Sequence, residues 1–454
     1  MTTAHTNASL IARDLRVLWH PCTQMKDHEG ELPLLPIRSG SGAWIRDYDG
    51  RQYLDAVGSW WVNVLGHAHP AINAALHAQL DTLEHVMFAG FTHEPAIMLA
   101  EKLLALAPAG LTKCYFADSG SNAIEIALKM SYHFWQNSSR PRKTRFITLS
   151  NSYHGETLGA LAVGSVELYK SIYRPLLMDV ITAPSPDAYE CRPGESSAGC
   201  AARQAQALED LLRQNADEVA AVILEPLVQC AGNMRMYDAS YLSTVRALCD
   251  RYGVHLIADE IAVGMGRTGR MFACEHADIT PDFLCLSKGL SGGYLALSAV
   301  LTTEPVYRAF YDEYAKLNGF LHSHSFSGNP LACTAALATL DVFAATDVLQ
   351  TVRRLSDSLA DKMAVFRSHP HVSDVRQCGL IGAIEFVRER ATRTPFDWRQ
   401  RRNLRIYRHA LERGVILRPL GNVIYFMPPY IVTPTEIALM CTVAMEGLEL
   451  ATCD

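Results

Sequence analysis

The chain has 454 residues, of which 49% are hydrophobic and 19% charged, a globular composition with material for a large core and two or three domains. Its 41 Lys+Arg against 47 Asp+Glu leave a net charge of −6, which excludes a general basic field for nucleic acid or anionic membrane and points to a small-molecule partner. No apolar run reaches the roughly 18 residues of a membrane span, the opening MTTAHTNAS has no basic-then-apolar leader, and the 12 cysteines include no CxxC pair, so the expectation is a cytoplasmic protein with neither a metal site nor a disulfide framework.

In chain order, residues 43–50 read as a hairpin closed by Asp49-Gly50. Trp60 and Trp61 follow, as core packing or as the aromatic wall of a site. His67 and His69 flank a turn before Pro70, with no third ligand near in sequence. Residues 113–117 form a buried strand that runs into Asp118-Ser119-Gly120-Ser121 and a helix over 122–135. That turn suits a phosphate, because small residues let backbone N–H groups approach and the helix N-terminus favours an anion; a plain serine cap gives the same string.

A strand over 145–149 delivers Tyr153, and the Pro- and Ser-rich stretch 183–199 is a surface loop before a helix over 201–214. The continuous apolar run 219–224 reads as a central parallel strand ending at Glu225. Two more runs end in Asp259 and in Lys288, and a strand over 297–301 precedes the polar loop 320–330, with His322 and His324, and a helix over 331–343. Beyond residue 345 come an amphipathic helix through Phe366 and a strand over 381–386. A basic, solvated stretch 388–402 follows, with a helix from Thr394-Pro395 to Gly414, then a hairpin over 415–428 that carries Arg418 on a strand. The segments 1–58, 59–344 and 345–454 are the expected N-terminal segment, large domain and small domain.

Several strand ends thus carry polar groups, and in an open α/β sheet ligands bind outside the carboxyl ends of strands. Pyridoxal phosphate asks for a lysine that bonds its aldehyde, a carboxylate for its ring nitrogen and donors for its phosphate. Lys288 and Asp259 meet the first two needs, although a surface lysine and a capping aspartate would look the same.

The combination resembles the fold-type I, class III pyridoxal-phosphate aminotransferases over nearly the whole chain, including the spacing of 29 residues from Asp259 to Lys288. LWHPCTQM at 18–25, GSWW at Gly58–Trp61, DSGSNAIEIALKM at 118–130 and RPLGNVIYFMPPYI at 418–431 are similar to the branch that aminates 8-amino-7-oxononanoate in biotin biosynthesis. The resemblance implies an α/β fold with a mostly parallel central sheet, helices on both faces, and a smaller α+β domain from the N- and C-terminal segments. It implies Lys288 as the cofactor's covalent partner and proton shuttle, Asp259 at the ring nitrogen, Gly120 and Ser121 at the phosphate, Tyr153 and Ile261 on the two ring faces, and Glu225 as a nearby polar contact. Trp60 and Tyr153 would line the substrate pocket, and Arg418 would take the acceptor's carboxylate. Ser323 and Ser325 would come from the neighbouring subunit of a homodimer, and S-adenosyl-L-methionine would be the amino donor.

Two positions depart from that pattern: Ser323-His324-Ser325 stands where the family often has Gly-Pro-Thr, and Cys22 where it has tyrosine beside the donor. Rival readings are a class III enzyme for ω-amino acids or diamines, the same reaction with lysine as donor, and a non-catalytic α/β binding protein.

Overall fold

A computed structural model describes residues 6–453. The chain divides into two compact units: one takes the chain up to Pro70 together with everything from Arg354 on, and the other is Ala71–Arg353.

The larger unit is built on a seven-stranded sheet in the order Leu111–Ala117, Ser298–Thr303, Phe283–Leu286, His255–Asp259, Val219–Leu224, Arg145–Leu149, Ile181–Ala183. Only Ser298–Thr303 runs antiparallel to its neighbours. All six residues of Val219–Leu224 are fully buried, as the uninterrupted apolar run requires of a strand covered on both faces. The helix Gly120–Asn137 packs Ile124, Ala127 and Leu128 into one core with Ile223, Ile257, Phe283 and Val300, each large aliphatic contributing roughly 1.5–3 kcal/mol by leaving water. It begins where it does because the Ser119 hydroxyl accepts the Asn122 N–H at 3.4 Å. The helix expected over 201–214 begins earlier, at Ser197, under a Ser196 cap.

His255 opens its strand among aromatic rings, 4.6 Å from Phe134, 4.7 Å from Trp135 and 5.4 Å from Phe283, and shares a 2.9 Å hydrogen bond with Ser131. Burial pushes its imidazole down to about 4 from the usual 6.5. The unfolded chain therefore takes this proton near pH 6.5 and the folded chain only near 4, so the group's contribution to stability is intact above 6.5 and lost as the pH falls through that window, by about 3 kcal/mol. A His255→Gln protein should show a flatter acid limb: its urea midpoint should fall less between pH 6.5 and 4 than that of the parent. Parallel curves for the two proteins would refute the assignment.

In the smaller unit one sheet runs Ile37–Ser41, Trp44–Asp47, Gln52–Asp55, Val415–Ile416, with the last strand parallel to its neighbour, and a second runs Val372–Cys378, Ile381–Phe386, Val423–Phe426. Of the hairpin read over 415–428 only the tight Gly421-Asn422 turn forms, across which Leu420 and Val423 exchange both backbone hydrogen bonds at 2.9 Å. Pro419 has no N–H to offer a ladder, and the two short strands pair into different sheets. Arg418 lies in the irregular link between them, not on a strand. The helix read from Thr394 begins at Arg402, because Thr394 is bonded back to Glu389 in a tight turn. Arg402 also leaves the solvated stretch: it is buried 4.2 Å over Phe396 and donates to the Ala451 carbonyl at 2.6 Å. Among the described residues no single helix is long and apolar enough to cross a membrane.

Candidate active site

Three of the adjacent strands of the large unit end in ionisable groups. Asp259 is the last residue of His255–Asp259; its Oδ2 lies 2.7 Å from His154 Nδ1 and its Oδ1 accepts the Ile261 N–H at 3.1 Å. Both Asp259 and His154 are buried, and His154 Nε2 has no hydrogen-bond partner among the described residues. Glu225 follows Val219–Leu224 and accepts the Tyr153 N–H at 2.9 Å and the Cys230 N–H at 3.0 Å. Burial first, and the Asp259 charge second, push its carboxyl well above the usual range.

Lys288 stands two residues after Phe283–Leu286, with φ +48 in the left-handed region, a strained backbone of the kind found at functional sites. Burial lowers its ammonium below the usual range, against the opposing pull of Cys230, Asp259 and Glu225. Burial thus acts in opposite directions on the amine and the acid, lowering the one and raising the other, the divergence that marks acid–base sites.

The Gly120–Ser121 end of the helix has room only for small residues. A Cβ on Gly120 would stand 3.0 Å from Ile261 Cδ1 and Cγ2, so the cradle and the Ile261 side chain are in contact. A Cβ on Gly155, at φ +124, would fall 2.2 Å from Ser121 Oγ. Tyr153 is part-buried, its hydroxyl 3.1 Å from Glu156 and its ring edge-on to Tyr169 at 5.5 Å. Ser323 and Ser325, by contrast, are exposed, on a segment where His322 and His324 pair with each other at 3.2 Å.

The smaller unit carries the remaining candidates. Gly58, Ser59, Trp60 and Trp61 have φ of +54, +47, +68 and +75, a left-handed turn that costs roughly 1–2 kcal/mol for each residue other than glycine. Trp60 is 43% exposed and lies under the Arg418 guanidinium, 4.9 Å from ring centre to Cζ. Among the described residues no carboxylate pairs with Arg418. Cys22, also at positive φ, is exposed.

Sequence reasoning missed His154, Cys230 and the Asp55–His67 pair. His154 is separated from Asp259 by 105 residues, and only its place in a polar turn after a strand hinted at it. Cys191, Glu195 and Cys200 have ligand atoms within 4.8 Å of one another, but Arg203 holds both Glu195 oxygens at 2.8 Å and touches Cys200 sulfur at 3.3 Å, so the cluster is an ion pair with a guanidinium where a cation would sit.

The family model for class-III aminotransferases matches residues 25–447. The chain belongs to the class-III aminotransferases. This aminotransferase is 46% identical to the adenosylmethionine-8-amino-7-oxononanoate aminotransferase of Geobacter sulfurreducens, across 96% of this chain and 95% of that one. It is 45% identical to the protein of that name from Helicobacter pylori, across 94% and 95%. Its structure matches the crystal structure of the Methanocaldococcus jannaschii protein of that name at a TM-score of 0.93 and 35% identity, covering 99% and 100% of the two chains. It also matches an omega transaminase from Pseudomonas jessenii in complex with PMP, at 0.93 and 31%, covering 98% of each. Class-III aminotransferases use pyridoxal phosphate, and a part-buried lysine, a buried carboxylate and a small-residue cradle at a helix N-terminus are the groups that cofactor requires.

Proposed function

We propose that the protein transfers the amino group of S-adenosyl-L-methionine to 8-amino-7-oxononanoate, giving 7,8-diaminononanoate, in the cytoplasmic synthesis of biotin. The observation that carries this reading is the near-complete coverage at 46% identity by a relative of that name; the TM-score of 0.93 is shared with an omega transaminase and does not discriminate, whereas the 31% identity to that protein does.

When bound, pyridoxal phosphate supplies an aldehyde that exchanges amines and a ring that takes up the electron pair left when a carbon-bound proton departs. The chain's own residues do the rest. Lys288 Nζ, whose charged form burial disfavours, would hold the cofactor between turnovers and would then move the proton from the amine-bearing carbon to the cofactor's aldehyde carbon, a positioned acid–base worth roughly 10²- to 10⁴-fold. Asp259 would hold the ring nitrogen protonated, and His154 with the Ile261 N–H keeps its carboxylate aimed. Gly120 and Ser121 offer N–H and hydroxyl donors to the phosphate at the positive end of the helix dipole. Ile261 and Tyr153 would enclose the ring, and Glu225, which accepts the Tyr153 N–H, holds that tyrosine in register.

Arg418 takes the acceptor's carboxylate in its planar fork, with Trp60 beneath it. The exposure of Ser323 and Ser325, next to exposed Leu321 and Phe326, supports a homodimer in which this loop completes a partner's phosphate site. An exposed thiol at Cys22 leaves the donor site roomier than a tyrosine would, which suits a large donor.

The donor is tested by following cofactor absorbance in a single half-reaction. Adenosylmethionine should convert the enzyme at a rate that free lysine and simple diamines do not reach. Conversion by lysine alone would move the donor to the alternative reading.

A further inference from the structure

We propose that Asp55 and His67 are positioning residues that hold the left-handed turn Gly58–Trp61, and through it the Trp60 ring beneath Arg418. The proposal rests on the reading of that pair as the seat of the acceptor's carboxylate.

Asp55 ends the strand Gln52–Asp55 and is 1% exposed. Its Oδ2 accepts the Ser59 hydroxyl at 2.7 Å and lies 3.1 Å from His67 Nε2, so one oxygen ties the first limb of the turn to the chain returning after it. Its Oδ1 faces the Val57 N–H at 3.4 Å. Burial opposes the charge, yet the bonds from His67 and Ser59 hold Asp55 below the usual carboxylate range.

His67 is itself fixed. Its N–H and carbonyl exchange hydrogen bonds with Gly42 at 2.7 and 3.1 Å, and its ring base fills the space beside Gly40, where a Cβ would stand 2.7 Å from His67 Cβ. The imidazole therefore reaches Asp55 from a rigid backbone.

The turn needs such an anchor. Gly58 cannot be replaced, since a Cβ there would meet the Met427 carbonyl oxygen at 2.9 Å and the Asn63 carbonyl oxygen at 3.0 Å. Ser59, Trp60 and Trp61 are not glycines and would relax to negative φ if released. Such relaxation would carry the Trp60 ring away from Arg418. Asp55 and His67 touch neither member of that pair in any bond described above, so their effect on substrate passes through backbone geometry.

The test uses the holoenzyme and two readouts, amide hydrogen exchange at residues 59–61 and steady-state kinetics. Asp55→Ala and His67→Ala should speed exchange at those residues and raise the acceptor KM on the order of tenfold, with a smaller change in kcat. His67→Gln, which retains an N–H donor, should restore most of both. Should Asp55→Ala fail to fold, Ser59→Ala removes a single bond and should move both readouts the same way by less. Unchanged exchange in the alanine variants overturns the proposal whatever KM does. Faster exchange with an acceptor KM that is unchanged, in these variants and in Arg418→Ala alike, supports the anchoring of the turn and overturns the carboxylate seat.

Discussion

A Lys288→Ala protein is expected to purify folded, to lack the absorbance of a lysine-bound cofactor and to lose transamination by on the order of 10⁴-fold. The fold should survive because the substitution removes an amine whose burial disfavours its charged form, and because alanine at φ +48 is no more strained than lysine. The activity should not, because Asp259 is already engaged by His154 and the Ile261 N–H, and Glu225 by two backbone N–H groups. Neither can both bond an aldehyde and shuttle the proton. Absorbance that persists in the variant, or turnover within tenfold of the parent, would remove Lys288 from the centre of the mechanism.

Asp259→Asn should retain the cofactor and lose on the order of 10²-fold or more in kcat, since an amide offers no charge to hold the ring nitrogen protonated in a site with little water. The local structure tolerates the change: the amide oxygen still accepts the Ile261 N–H, and His154 can present its other tautomer to the amide N–H. A second readout separates charge from shape. The Asp259 charge is one of the causes that raise the Glu225 carboxyl, so its removal should bring Glu225 back toward the ordinary range, visible as a lower apparent pKa for that group by carboxyl-specific NMR. Near-normal turnover, or an unmoved Glu225, would contradict the assignment.

The sheet was legible because its strands are uniform. A run such as Val219–Leu224 has no polar side to hide, and the groups that follow such runs, Glu225, Asp259 and Lys288, could be placed at one sheet end before any contact was known. The Gly120–Ser121 turn was legible as a cradle or a cap, and it is capped by its neighbour Ser119 while Gly120 packs against Ile261.

What escaped depends on pairings far apart in sequence or on backbone signs that composition does not carry. The His154–Asp259 bond joins two strand ends from different parts of the chain, and the Asp55–His67 bond crosses the turn it supports. Nothing in GSWW announces four consecutive positive φ values. Gly421-Asn422 is the tight turn its apolar flanks suggested, closed by the Leu420–Val423 pair, but the strands beyond it part because each has a partner elsewhere: Gln52–Asp55 for one and Ile381–Phe386 for the other.

Transfer of nitrogen itself tests the central claim most directly. Holoenzyme given adenosylmethionine labelled with ¹⁵N at its α-amino group, then freed of excess donor and given unlabelled 8-amino-7-oxononanoate, should release 7,8-diaminononanoate with one ¹⁵N, at carbon 7, in an amount equal to the active sites. Absence of the diamine, or a diamine without label, would contradict the account.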